Sequence, residues 1–122
     1  PSFLLEFDPV IDVETHEKEQ VCPRFHRAIE LVGKRWTGAI IQVLLNGPRR
    51  FTEILESIPG LHDRLLSERL KELEAAGIVQ RLVYPETPVR IEYTLTEMGK
   101  DLERVVSEVQ RWANRWFPPP HS

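Results

Sequence analysis

Chain breakers frame this sequence. Gly33, Asn46-Gly47-Pro48, Pro59-Gly60, Gly77 and Pro85-Glu86-Thr87-Pro88 recur at short intervals. Proline lacks the N–H that a helix interior uses, and glycine or asparagine tolerates the backbone that ends a helix. Each interval between breakers must therefore hold one short element, and the spacing of its apolar residues tells which kind.

Residues 24–32 read as a short helix, with Pro23 near its first turn and Gly33 at its end, and with Phe25, Ile29 and Val32 on one face. A second helix is expected over 37–45, where Ile40, Ile41, Val43, Leu44 and Leu45 are apolar nearly all round. Such a helix belongs in the centre of a domain. A third is expected over 52–58, with Thr52 as cap and Ile54, Leu55 and Ile58 as its stripe. A fourth, 63–76, has Leu66, Leu70 and Leu73 facing inward and Gly77 as its stop. The period then changes. Residues 78–84 and 90–95 are rich in β-branched and aromatic side chains around a proline-bounded tip, the pattern of a hairpin. One last helix is expected from Thr96 to Trp116, with Met98, Leu102, Val105, Val109, Trp112 and Trp116 along one stripe.

Four helices, a hairpin and a closing helix make a mainly α fold with a small β-hairpin. This is the plan of a winged helix-turn-helix with flanking helices. Residues 1–21 show no sustained period and read as an acidic N-terminal arm; residues 22–117 form the expected domain, and 118–122 a proline-led tail. No apolar run approaches the ~20 residues of a membrane span, and no secretory signal opens the sequence, so a cytoplasmic location is expected.

The formal net charge of −3 is a poor guide to partners, because its distribution is uneven. Glu6, Asp8, Asp12, Glu14, Glu17 and Glu19 face Lys18 alone in the first 22 residues, whereas residues 23–95 hold eleven Lys/Arg against nine Asp/Glu. Screening over about 8 Å makes the local balance the relevant one. The middle segment is free to present a basic face to duplex DNA.

In a winged helix-turn-helix the second helix of the pair reads the major groove. The inward leucines turn Arg64, Ser67, Glu68 and Lys71 outward. Arg grips guanine, Ser bonds a base or phosphate, and Glu accepts from cytosine. Arg49 and Arg50 precede the third helix, placed to clamp phosphates, and Arg90 sits at the base of the wing tip. An ordinary solvated helix face is the competing explanation for each, and Arg69 with Glu72 suits a pair internal to the protein. The stripe Leu102, Val105, Val109, Trp112 and Trp116 is too apolar to stand uncovered; a second subunit is its natural cover, packing back on its own domain the alternative.

Cys22 is the single cysteine, so no intrachain disulfide and no CxxC zinc pair is available. Cys22, His26 and Glu30 recur every four residues, but a trio without a fourth ligand is a weak metal signal, and no metal or cofactor is expected. No phosphate loop, Ser/His/Asp set or carboxylate pair argues for an enzyme. Preceding a helix beside Arg24, His26 and Arg27, Cys22 suits either a reactive thiolate or inert packing.

Cys22-Pro23, Gly33-Lys34-Arg35-Trp36-Thr37, Gly47-Pro48-Arg49-Arg50-Phe51-Thr52-Glu53-Ile54, Leu66-Ser67-Glu68-Arg69-Leu70-Lys71-Glu72-Leu73 and the wing Val83-Tyr84-Pro85-Glu86 with Pro88-Val89-Arg90-Ile91-Glu92-Tyr93-Thr94-Leu95-Thr96 resemble HxlR-type regulators, relatives of the MarR type, over about residues 22–112. The resemblance implies a homodimeric transcription regulator on an inverted-repeat operator, with dimer contacts through the first helix, including Phe25, and the last. It also implies, for some members, a response to oxidants or electrophiles through a cysteine at the place of Cys22. His62 departs from the small polar cap that the resemblance leads one to expect; a cap at Asp63 would shift the reading helix by one residue. The competing functions are a winged helix for protein contact and a metal- or ligand-sensing module without DNA binding. A convergence of Arg49, Arg50, Arg64, Lys71 and Arg90 on one face favours DNA.

Overall fold

The computed structural model describes residues 20–119; the acidic arm, up to residue 19, lies outside them. The chain divides after Val32 into two compact units. The first contributes one described helix, α1 (Pro23–Val32), in which the His26 amide donates to the Cys22 carbonyl at 3.0 Å. Phe25 and Ile29 on this helix are exposed.

The second unit, from Gly33, carries α2 (Thr37–Leu44), α3 (Phe51–Ser57), α4 (Asp63–Ala75), the strands β1 (Val79–Tyr84) and β2 (Arg90–Leu95), α5 (Glu97–Lys100) and α6 (Glu103–Trp116). Its core is the one the apolar spacing implies. Ile40, Ile41 and Leu44 of α2, Ile54 of α3 and Leu66, Leu70 and Leu73 of α4 are buried, joined by Ile58, Leu61, Ile78, Val79 and Leu95. The central α2 packs on α3, α6 and β2, while α4 packs on β1. The strands pair antiparallel, with Val79 opposite Leu95 and Tyr84 opposite Arg90.

The end of α4 shows why the chain turns from helix to strand. The Ile78 amide donates to Leu73 O at 2.9 Å and the Gly77 amide to Glu74 O at 3.0 Å, the paired bonds of a Schellman close. Gly77 takes φ 83°, open to glycine at little cost.

Three expectations need correcting. Thr52 does not cap α3. The Arg49 backbone exchanges bonds of 3.0 and 2.8 Å with Tyr93 on β2, so extended chain runs up to the helix, which starts at Phe51. Glu53 closes the end by accepting from the Arg50 amide at 2.7 Å. The reading helix does not shift at its start: His62 holds the cap position in extended conformation, and Asp63 is the first helical residue. Its carboxylate sits where the helix dipole favours negative charge. The closing helix is two helices. Thr96 Oγ1 accepts from the Gly99 amide at 3.1 Å to start α5, and the Leu102 amide bonds Gly99 O at 3.0 Å in a tightened turn before α6. Met98 therefore belongs to α5, apart from the stripe on α6.

Gly99, inside α5, makes a close approach to the chain just before β1. A Cβ there would collide with the Ile78 carbonyl and approach Leu95 Cδ2 to 3.0 Å, so α5 lies directly on the hairpin. Gly38, in α2, has nothing within 4 Å of its equivalent position. Gly99→Ala is expected to destabilise the fold by about 1–3 kcal/mol despite alanine's better helix propensity, and Gly38→Ala to stabilise it by roughly 0.5–1 kcal/mol. Urea unfolding midpoints of the two variants should move in opposite directions.

Candidate nucleic-acid interface

The buried leucines of α4 fix its roll. Arg64, Glu68 and Lys71 are exposed and Ser67 half-exposed, as the period predicts. Arg64 extends almost fully into solvent, 92% exposed, with Nε 3.5 Å from Glu68 Oε2 one turn on. An exposed pair of this kind is worth little, ~0–1 kcal/mol, so Arg64 can exchange its carboxylate for a base or phosphate. Its neighbour Arg69 does the opposite. Only 11% exposed, it donates from Nε to Arg35 O at 2.9 Å and lies 3.5 Å from Glu72. Lys34 Nζ reaches the same Glu72 oxygen at 2.8 Å. Arg69 and Glu72 thus pair within the protein, tying α4 to the turn before α2.

That turn is unusual. Trp36 adopts φ 78°, a left-handed conformation rare outside glycine and costly by roughly 1–3 kcal/mol. Arg35 stacks over its ring at 4.9 Å. The bond from Arg69 holds the turn from the other side.

The segment before α3 belongs to the wing. Through its bridge to Tyr93, Arg49 extends the hairpin by one short step, and its Nη1 folds back on Pro48 O at 2.8 Å. Arg50 is exposed at the start of α3, and its charge reaches the wing tip, where it helps lower the pKa of Glu86 behind the larger effect of Arg90.

Arg90 is not a free cation. Its Nε and Nη2 donate to the two Glu86 oxygens at 3.3 and 2.9 Å, and Nη1 donates to Glu92 at 2.8 Å. Its guanidinium lies 3.9 Å from the centre of the Tyr84 ring. The bond to Glu86 is the main reason that the Arg90 pKa rises further, with Glu92 adding to it. The period of the hairpin did not reveal this clamp; acids four residues before and two after Arg90 are the signal that could have.

On α6, Val105, Val109, Trp112 and Trp116 are exposed, and Leu102, at its cap, is half-buried. Trp112 meets Phe117 edge to face at 5.3 Å. Val106 and Ala113 are half-buried, and Gln110 accepts from Gln42 of α2 at 3.2 Å, so α6 rests on α2 by its other side. The open groove between them, about 550 Å³, is lined largely by polar side chains such as Gln42, Asn46, Ser107 and Asn114, unlike the enclosed apolar cavities that take small ligands.

Cys22 is exposed and its thiol pKa is lowered. The Phe25 amide at the start of α1 is the main cause, followed by the Arg24 side chain and the Arg24 amide. His26 Nε2 lies 3.5 Å from Glu30 Oε2 on the same helix. Among the described residues, no three His, Cys, Asp or Glu side chains gather closely enough to hold a metal ion.

A family profile described as HxlR-like helix-turn-helix matches residues 31–121. The chain belongs to this family. It is 51% identical to the HTH-type transcriptional regulator YvaP of Bacillus subtilis, over 84% of this chain and 94% of that protein. It is 52% identical to the regulator YodB of the same organism, over 81% and 88%. Among solved structures, reduced YodB superposes with TM-score 0.73 at 51% identity, covering 84% of this chain and all of the other. The redox regulator HypR in its oxidised form gives 0.75 at 35% identity, over 80% and 100%. The protein is therefore a winged helix-turn-helix transcription regulator of the HxlR type, and the DNA-binding reading stands over the protein-contact alternative. Among the described residues, no helix is long and apolar enough to cross a membrane.

Because amide bonds at a helix start stabilise the thiolate, Cys22 should react at lower pH than a free thiol. The alkylation rate with iodoacetamide is expected to reach half its plateau below pH ~8.5, and to move back up towards that value in urea. A midpoint at or above it in the folded protein would contradict this assignment.

Proposed function

We propose that this HxlR-type regulator works in the cytoplasm as a homodimer that reads an inverted-repeat operator, without catalysing a reaction of its own. The observation that carries the reading is the orientation of α4. Three buried leucines leave Arg64, Ser67, Glu68 and Lys71 as an unobstructed outward row, in the place where this fold presents its reading helix. Arg49 and Arg50, at the start of α3 beside the wing, supply phosphate contacts, and the wing that carries Arg90 adds a second point of approach. The dimer seam is formed by Val105, Val109, Trp112 and Trp116 with Leu102, and by Phe25 of α1. Burying each large side chain contributes roughly 1.5–3 kcal/mol.

We further propose that Cys22 is the effector site. YodB is known in quinone-bound and diamide-treated forms, and HypR in oxidised and reduced forms. The Cys22 thiolate can add to the ring carbon of a quinone, forming an S–C bond as the ring takes up a proton. With one cysteine per chain, diamide can join two Cys22 thiols of different chains, its azo bond being reduced to a hydrazine.

Selection of duplexes from a random pool tests the first proposal, with an inverted repeat as the expected product. Affinity should fall steeply with salt, because phosphate contacts release counterions. Arg64→Ala should cost about 1–3 kcal/mol and relax preference at one base position. Recovery of no specific duplex would overturn the reading. Sedimentation at micromolar concentration should give twice the chain mass for the wild type, and a shift towards monomer for Trp112→Ala with Trp116→Ala; a monomeric wild type would contradict the dimer. For the effector, diamide or a quinone should change operator affinity in the wild type and leave Cys22→Ser unaffected.

A further inference from the structure

Wing arginines are commonly treated as phosphate or minor-groove contacts. We infer that Arg90 is instead a positioning residue, whose guanidinium is consumed in holding the wing tip in its DNA-ready shape. The inference rests on the DNA-binding reading and refines one residue within it.

The geometry leaves Arg90 little to offer a phosphate. Three of the five N–H donors of an arginine are directed at carboxylates of the same hairpin, two at Glu86 in a bidentate fork and one at Glu92. The flat face lies against Tyr84, its direct partner across the ladder. Arg90 is 28% and Glu92 19% exposed, so this pair is shielded better than a free surface bridge. The two N–H donors left over, one on Nη1 and one on Nη2, sit on nitrogens already bonded to Glu92 and Glu86, so a phosphate could reach them only beside two carboxylates, and a full grip would strand those charges.

The same contacts have a clear mechanical role. The tip, Pro85-Glu86-Thr87-Pro88-Val89, lies beyond the last ladder pair, Tyr84 with Arg90. Its link to the strands through Glu86 is a planar fork, which sets direction as well as distance. Glu92 sits two residues from Arg90 on the same strand face and anchors the guanidinium from the sheet side. One side chain thereby joins the tip, both strands and the ring of Tyr84. It also neutralises part of the tip's acidity. A lysine cannot do this: its point charge has no fork and no flat face to stack.

The test compares wild type, Arg90→Lys and Arg90→Gln on a duplex selected by the wild-type protein, with affinity measured across a series of salt concentrations. A positioning role predicts that both variants weaken binding by about fivefold or more, that Lys gives no rescue, and that the slope of log K against log salt stays at the wild-type value. Near-wild-type affinity for Arg90→Lys, or a slope shallower by about 0.9 in Arg90→Gln, would overturn it and mark Arg90 as a phosphate contact. The free protein gives a second readout independent of DNA. The Arg90 Nε–H resonance should be slow to exchange with solvent in the wild type and fast in Glu86→Gln; fast exchange in the wild type would equally overturn the clamp. Failure of the wild type to bind any duplex is a separate result, which overturns the DNA-binding reading itself.

Discussion

Burial of Leu66, Leu70 and Leu73 sets the roll of α4, and most of what this protein can do follows from that roll. Each leucine removed from water contributes roughly 1.5–3 kcal/mol, far more than the exposed ion pairs around it. The helix cannot rotate without exposing all three, so the side chains between them must face out. Two further devices fix the helix at its ends and flank. The Schellman close at Gly77 stops it and starts the wing, and Arg69 ties it to the left-handed turn at Trp36. The outward row is thus held by contacts in which none of its own side chains takes part. That leaves Lys71, and Arg64 on exchange of its exposed pair with Glu68, available to a ligand.

Much of the fold was legible because it is local. The breakers bound each element, and the change from a period near four to β-branched runs marked the wing. What the sequence hid was contact between distant segments. Nothing in the run from Thr96 to Trp116 shows that Gly99 lies on the Ile78 carbonyl or that the chain turns after Lys100, so two helices read as one. The cap of α3 was misplaced for a related reason: the Arg49 bridge to Tyr93 extends the strand up to Phe51, and Thr52 is left inside the helix.

The interface divides along the same line. The outward placement of Arg64, Ser67, Glu68 and Lys71 was legible from helical spacing, and Arg69 with Glu72 already suited an internal pair. The share of Lys34 in that pair, 38 residues from Glu72, was not. Nor was the state of Arg90, which counts as a cation in the sequence and is already bonded in the structure. Cys22 is the converse case. Pro23 signals the helix start that follows it, and the amides of that start are what lower the thiol's pKa.

The central claim is that the outward row of α4 enters the major groove in two copies. It is tested most directly by affinity cleavage. An iron chelate attached through Ser67→Cys, in a Cys22→Ser background, would cut DNA wherever that face of α4 lies. On the selected duplex the account predicts two symmetric clusters of cuts, separated by one helical turn, about 34–36 Å, or a multiple of it. Cuts scattered along the duplex, or a single cluster without a symmetric mate, would contradict it.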